Sequence, residues 1–241
     1  MREISIIIPI FNEGRNINEL TQLITKNLAR IKKRFKFEVI FVDDNSSDES
    51  HKILKNIRTK RIKYFIRKKN RDLSQSCMLG FEKAKYNNIL IMDGDLQHNP
   101  KYLPKILELF WSRNLDFLIC CRNFFKVIQN SKNYFIKIRT FLSIIITFIF
   151  NFMVIKKTDD PMSGYFIFKK EIYFKNKEKM FGRGYKILAD LLTVEKKYYK
   201  ILNYPIKFDS RKKDKSKISL KILILIILLI IRRSSSFIKY S

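Results

Sequence analysis

Short apolar runs rich in Ile, Val and Phe alternate along the chain with longer stretches whose apolar residues recur at helical spacing. The runs ISIIIPIF (4–11), FEVIFVDD (37–44), IKYFIR (62–67), NILIMD (88–93) and DFLICCR (116–122) predict strands, because β-branched and aromatic side chains fit a pleated surface. Segments near 16–33, 48–57, 74–86 and 101–113 predict the helices between them. This alternation implies an α/β fold on a mostly parallel sheet flanked by helices. The uninterrupted apolar runs suit strands covered on both faces. No internal repeat or low-complexity linker divides the chain, so 1–217 reads as one domain and 218–241 as a tail.

In such a sheet, ligands bind outside the carboxyl ends of the strands. The polar residues expected there are Asn12 and Glu13, DDNSSD (43–48), DGDLQ (93–97) and Arg122. DDNSSDES also reads as a turn and a helix start, since Asp and Ser are good N-caps. The stretch LIMDGDLQHNP (90–100) asks for more explanation. In an extended chain residues i and i+2 share a face, so Asp93 and Asp95 would repel by about 3 kcal/mol at roughly 5 Å and an effective dielectric near 20. Two hard carboxylate oxygens beside the amide of Gln97 suit Mg²⁺ or Mn²⁺, which complete their shells with substrate phosphates. The intervening Gly94 allows close backbone approach. Zinc is not expected, because the two histidines, His51 and His98, sit in no ligand-spaced cluster.

Composition adds a partner class. Fifty Lys and Arg against 22 Asp and Glu give 241 residues a formal charge of +28, which favours a membrane surface, nucleic acid or a phosphorylated ligand. The richness in Lys, Ile, Asn and Phe is also what AT-rich coding produces. A nucleic-acid partner is not expected, because the basic residues are dispersed rather than interleaved with aromatics, and the rim is acidic. Cys77, Cys120 and Cys121 form neither a disulfide framework nor a CxxC site and read as reduced core thiols on a cytosolic protein. The N-terminal apolar stretch is too short for a signal peptide. No Ser-His-Asp or Cys-His arrangement is evident.

Six segments in order carry a resemblance: IIIPIFNE, VIFVDDNSSD, IMDGDLQHNP, DPMSGYFIF (160–168), GYKILADLL (184–192) and PIKFDSRKKDKSK (205–217). From about Ile4 to Lys217 the chain resembles the family-2 glycosyltransferases of the GT-A (Rossmann-like) fold, in the polyprenyl-phosphate, dolichyl-phosphate mannosyltransferase-like branch. The resemblance implies that Pro9, Phe11, Glu13 and Asp44, with Asp93, line the nucleotide pocket. Asp93, Asp95 and Gln97 would hold the metal. Arg122, Arg139 and Ser143 would bind the acceptor phosphate, and Arg211, Ser216 and Lys217 would close over the donor phosphates, with Asp95, Arg122 and Arg211 central to catalysis. Two glycines usual in the family are missing, one replaced by Asp214 and one in KNRDLSQ (69–75); such losses stiffen a loop or block close approach.

The implied reaction moves a sugar from a nucleotide diphosphate to a polyprenyl phosphate with inversion, at the cytoplasmic face of a membrane. Mannose from GDP-mannose is the first expectation; a UDP-sugar donor or a glycan acceptor is the alternative. The segment IRTFLSIIITFIFNFMVI (138–155) sets Arg139, Ser143, Thr147 and Asn151 four apart on an apolar helix, which fits either an interfacial helix or a buried core helix. The run ILILIILLII (222–231) reaches only about 15 Å as a helix, half of a hydrocarbon core of roughly 30 Å. With its basic flanks it reads as an interfacial anchor or as a helix docking on a membrane protein subunit.

Overall fold

The computed structural model describes residues 2–31, 33–57, 59–130, 133–153, 157–184, 187–195 and 197–208. In chain order the elements are β1 (Arg2–Ile10), α1 (Gly14–Ala29), β2 (Phe35–Asp43), α2 (Ser50–Asn56), β3 (Ile62–Ile66), α3 (Leu73–Lys83), β4 (Asn88–Ile91), α4 (Leu103–Ser112) and β5 (Phe117–Arg122). Then follow α5 (Phe124–Asn130), α6 (Tyr134–Met153), β6 (Phe166–Lys169), α7 (Lys170–Asn176), α8 (Ile187–Thr193) and β7 (Ile201–Ile206). The expected strands form within a few residues of the apolar runs. The tail 218–241 lies outside the described residues.

The strands make one seven-stranded sheet in the order β3-β2-β1-β4-β6-β5-β7. From β1 the chain winds outward through β2 and β3, then returns to place β4 on the other side of β1. All pairs are parallel except those of β6, which runs antiparallel to both β4 and β5. The first half therefore has its topological switch point between β1 and β4, where open α/β sheets form a ligand crevice. Because β6 is reversed, its start lies at the same rim as the ends of β4 and β5.

Alternate residues of each strand face opposite sides, and both sides are apolar. Ile4, Ile6, Ile8 and Ile10 join Ile17, Leu20 and Ile24 of α1 and Leu103, Ile106, Leu107 and Phe110 from α4 in one core layer. Ile7, Ile40, Val42, Ile89 and Ile91 pack with Cys77 and Phe81 of α3 and with Leu188, Leu191 and Leu192 of α8 in the other. Each fully buried Ile or Phe contributes about 1.5–3 kcal/mol relative to exposure. Cys77, Cys120 and Cys121 are free and buried, as the sequence suggested.

The described part of the 138–155 segment, 138–153, forms most of α6, and the buried-core alternative for it does not hold. Thr140 and Phe150 are buried, but Ile138, Phe141, Leu142, Ile145, Phe148, Ile149 and Phe152 are exposed, with Phe148 at 76% and Phe152 at 91%. Their three- and four-residue spacing puts them on one helix face. No described helix is long and apolar enough to cross a membrane.

One carboxylate ties the sheet interior together. Glu38 of β2, buried at 4% exposure, accepts bonds from Ser5 Oγ (2.7 Å), the Lys85 backbone N–H (2.6 Å) and Lys63 Nζ (2.8 Å). Burial pushes its pKa up, yet these three donors outweigh burial and hold the carboxyl below its usual value. A group so depressed contributes stability above its unfolded pKa and loses that contribution as pH falls through the folded value. Glu38→Gln is expected to lower the melting temperature at pH 7 by several degrees. Calorimetry across pH should show the gap to the parent narrowing below about pH 4.

Candidate active site

The loops after β1 and β2 lock to each other before any ligand is considered. Asn12 and Asn45 both take positive φ, 59° and 62°, a conformation that Asn tolerates better than most residues. The Asn12 N–H donates to Ser46 Oγ (2.8 Å), and the Ser47 N–H donates to Asn12 Oδ1 (2.9 Å). At the start of α1, the Glu13 N–H donates to Ser50 Oγ (3.1 Å) and the Gly14 N–H to Asp48 Oδ2 (2.9 Å). These bonds satisfy donors that a helix start leaves open. The Asp48 carboxyl is held below its usual value: burial opposes this, but bonds from Ser50 and Gly14 prevail. Much of DDNSSDES thus serves as turn and cap, the structural use that the sequence also allowed.

Of the expected nucleotide-pocket residues, Pro9 is buried in β1, while Phe11 and Glu13 are half-buried at its end. The guanidinium of Arg71 lies 3.8 Å from the centre of the Phe11 ring. Asp44 is buried and held from two sides. Arg67 donates to Oδ1 through Nε (2.8 Å) and holds Nη2 in ion-pair distance of the same oxygen (2.6 Å), while the Asp72 N–H donates to Oδ2 (2.7 Å). Asp72, in the loop KNRDLSQ where the resemblance led us to expect a glycine, has φ −159° and ψ 115°, backbone that any residue adopts. Its side chain caps α3 by accepting from the Gln75 N–H (3.2 Å) and also accepts from the Gly184 N–H (2.9 Å). Ser74 N–H and Oγ both donate to the Gly184 carbonyl, and Gln75 Nε2 donates to that of Gly182 (2.6 Å). The 69–75 loop is thus clamped to residues 182–184.

Beyond β4, Asp93, Asp95 and Gln97 are half-buried and alternate with buried Gly94, Leu96 and His98. Leu96 has φ 63°, so the chain turns here, and the Gln97 N–H returns to Asp95 Oδ1 (3.1 Å). His98 is the residue that sequence reasoning passed over. Its Nδ1 accepts the Asp93 N–H (2.8 Å), which places its ring proton on Nε2, and Nε2 faces Asp93 Oδ2 at 3.6 Å. The imidazole stacks on Tyr165 at 5.2 Å. Across the crevice, a Cβ on Gly164 would fall 2.8 Å from both carboxylate oxygens of Asp93, so only glycine leaves that carboxylate its place. Among the described residues no group of three or more His, Cys, Asp and Glu converges as a metal site. Two carboxylates and an amide, open for phosphate oxygens to complete the shell, are nevertheless a donor set that fits Mg²⁺ or Mn²⁺, and the Gly164 cradle keeps one carboxylate in reach.

Arg122 ends β5 beside this acidic turn. Its Nε and Nη2 donate to Oδ2 (2.8 Å) and Oδ1 (3.0 Å) of Asp160, which is wholly buried. Burial would lower the Arg122 pKa, but Asp160 outweighs it and, with a smaller contribution from Asp93, moves it up. The Cys77 thiol is pushed well up, first by burial and then by Asp93, Asp72 and Asp44. Asp93 therefore lies within electrostatic reach of both Cys77 and Arg122. Ser143 lies on α6, where its carbonyl accepts from Thr147 Oγ1 (2.9 Å). The side chain of Arg139 lies outside the described set, as do Arg211, Asp214, Ser216 and Lys217. Asp160 and Gly164 belong to a quoted motif, but nothing in their spacing says which residues they meet.

Fold and rim together define an α/β protein with an open-sheet crevice lined by paired acids and an arginine. Residues 5–175 match the family described as Glycosyl transferase family 2, and the chain belongs to it. It is 29% identical over 222 residues to the dolichol-phosphate mannosyltransferase of Pyrococcus furiosus, an alignment covering 92% of this chain and 60% of that protein. The chain thus spans about three-fifths of the archaeal relative's length. With the Saccharomyces cerevisiae dolichol-phosphate mannosyltransferase it shares 29% identity over 241 residues, 92% and 83% of the two chains. Among solved structures, Mycobacterium tuberculosis glucosyl-3-phosphoglycerate synthase aligns with a TM-score of 0.65 at 14% identity, over 96% of this chain and 80% of that one. Its complex with Mn²⁺ and UDP-glucose gives 0.63 at 13%, over 96% and 79%. These structures share the GT-A fold with this chain.

Asp72→Ala removes both the α3 cap and the bond to Gly184. It is expected to destabilise the protein by about 1–2 kcal/mol, measured by urea unfolding, and to speed amide hydrogen exchange at Gly184. Unchanged stability and exchange would show that the clamp contributes nothing.

Proposed function

We propose that this protein transfers mannose from GDP-mannose to a polyprenyl phosphate, with inversion, at the cytoplasmic face of a membrane. The observation that supports the reading best is the gathering on one rim, beyond β4 and β5, of half-exposed Asp93 and Asp95 and of Arg122, which Asp93 reaches electrostatically, in a chain whose similar relatives carry the name dolichol-phosphate mannosyltransferase. Pro9, Phe11, Glu13 and Asp44 line the base and ribose side of the crevice. Asp93, Asp95 and Gln97 hold Mg²⁺ or Mn²⁺, which supplies Lewis-acid neutralisation of charge on the departing diphosphate. Arg211, Ser216 and Lys217 close over the donor phosphates. Ile206, the last residue of β7, pairs with Arg122, so β7 ends on the same rim.

The acceptor is itself the nucleophile. A phosphate monoester has a second pKa near 6, so it is largely dianionic at neutral pH. It needs no general base, and the crevice need only aim it. Arg122, Arg139 and Ser143 do so by binding its phosphate, because a planar guanidinium matches phosphate oxygens. The exposed apolar face of α6 supports a bilayer-surface location. A helix of this kind lies in the interface with its apolar face in the acyl boundary. The 218–241 tail adds a second, basic-flanked anchor or the contact to a membrane protein subunit.

Two experiments test the reading. In a reconstituted assay with Mg²⁺ or Mn²⁺, a polyprenyl phosphate and labelled GDP- and UDP-sugars, label from GDP-mannose is expected in the lipid phase. Asp95→Asn should lower it by roughly a hundredfold or more. A mutant at parent rate would remove Asp95 from the mechanism, and label only from a UDP-sugar would move the donor to that class. Separately, Phe148→Glu combined with Phe152→Glu should abolish most flotation with phosphatidylglycerol vesicles while leaving thermal unfolding unchanged. Undiminished flotation would assign membrane attachment to the tail.

A further inference from the structure

Asp160 touches none of the groups assigned above to donor or metal, yet it is the most completely buried carboxylate near the rim, at 0% exposure. We propose that Asp160 is the positioning residue for Arg122, held in turn by Thr158 and Asn151, so that the outer edge of the guanidinium forms a fixed fork for a phosphate monoester. The proposal rests on the acceptor reading given above.

A guanidinium carries five N–H donors in one plane. Asp160 takes one from Nε and one from Nη2, at 2.8 and 3.0 Å. The second N–H of Nη2 and the neighbouring N–H of Nη1 remain side by side at the tip of the guanidinium, which is the geometry that grips two phosphate oxygens at once. The Phe124 ring, 5.0 Å from the guanidinium carbon, restrains the same plane from its face. Arg122 is thus oriented by two contacts rather than left as a mobile charge.

Asp160 is held just as closely. Its N–H donates to Thr158 Oγ1 (3.4 Å), and that hydroxyl donates to Asn203 Oδ1 of β7 (2.9 Å). Thr158 also exchanges two bonds with the last turn of α6: its N–H donates to Asn151 Oδ1 (2.9 Å), and Asn151 Nδ2 donates to its carbonyl (2.8 Å). The Asn151 side chain thereby links the helix that carries Ser143 to the segment that aims Arg122. The fourfold polar stripe ends in this link.

Charge and position make opposite claims about one substitution. Asp160→Asn removes a negative charge beside Arg122, so if net charge governed acceptor binding it would tighten. If Asp160 positions the fork, binding must weaken, because a neutral amide offers a single acceptor oxygen. The test uses the full chain with polyprenyl phosphate in phosphatidylcholine vesicles, and compares Asp160→Asn, Thr158→Val and Thr158→Ser with the parent. For Asp160→Asn, kcat/KM for the lipid phosphate is expected to fall about tenfold to a hundredfold while KM for the donor stays within about twofold. Thr158→Val should show a smaller loss of the same kind, and Thr158→Ser should restore the parent value. An acceptor KM that is unchanged or lower, or donor and acceptor constants that move together, overturns the proposal. Should Asp160→Asn fail to fold, the Thr158 pair gives the same decision. The flotation that polyprenyl phosphate adds over phosphatidylcholine vesicles without it, measured for each variant, reads acceptor binding without turnover and apart from the α6 and tail attachment. A parent that binds but does not transfer refutes the reaction and leaves the fork tested by flotation, whereas a parent that does not bind refutes both.

Discussion

β6 hydrogen-bonds to β4 and β5 in the antiparallel sense, and this reversal governs the content of the rim. A parallel strand in that place would deliver its end there; the reversed one delivers its approach, residues 158–165. Gly164 then lies against the Asp93 carboxylate, Tyr165 under His98, and Asp160 against Arg122. Acid and base can stand side by side in the crevice because Arg122 has its own buried partner, Asp160, in that segment. Without it, Arg122 and Asp93 would be drawn to each other. A direct ion pair would occupy the space a ligand needs.

The parts of the fold that could be read from sequence are those fixed by local pattern. Runs such as ISIIIPIF form strands wherever they are placed, because both faces of the central sheet are covered. β6 and β7 escaped notice for physical reasons. FIFK is four residues long, too short to distinguish from buried helix, and ILNYPI contains Pro205, which removes a ladder donor and is tolerated on an edge strand such as this. At the site, Asp93 and Asp95 stood out because their spacing poses an electrostatic problem by itself. His98, Gly164 and Asp160 did not, because their roles exist only across segments far apart in the chain.

The loop that lost its glycine teaches the same lesson from the other side. A missing glycine suggests obstruction when judged by residue type alone. At position 72 the backbone is extended, and the side chain turns to α3 and Gly184. The hydrogen bonds attach this loop to residues 182–184. Asp44 belongs to the same assembly through Arg67 and the Asp72 N–H.

The apolar face of α6 also governs how copies of this protein meet one another. Eight large apolar side chains from Tyr134 to Phe152 stand exposed on one helix, on a chain of formal charge +28. At low ionic strength the shared positive charge keeps copies apart. At about 0.1 M salt the Debye length shrinks to roughly 10 Å, and the greasy faces come within reach while repulsion fades. Dispersal in water is therefore conditional, and added salt favours clustering.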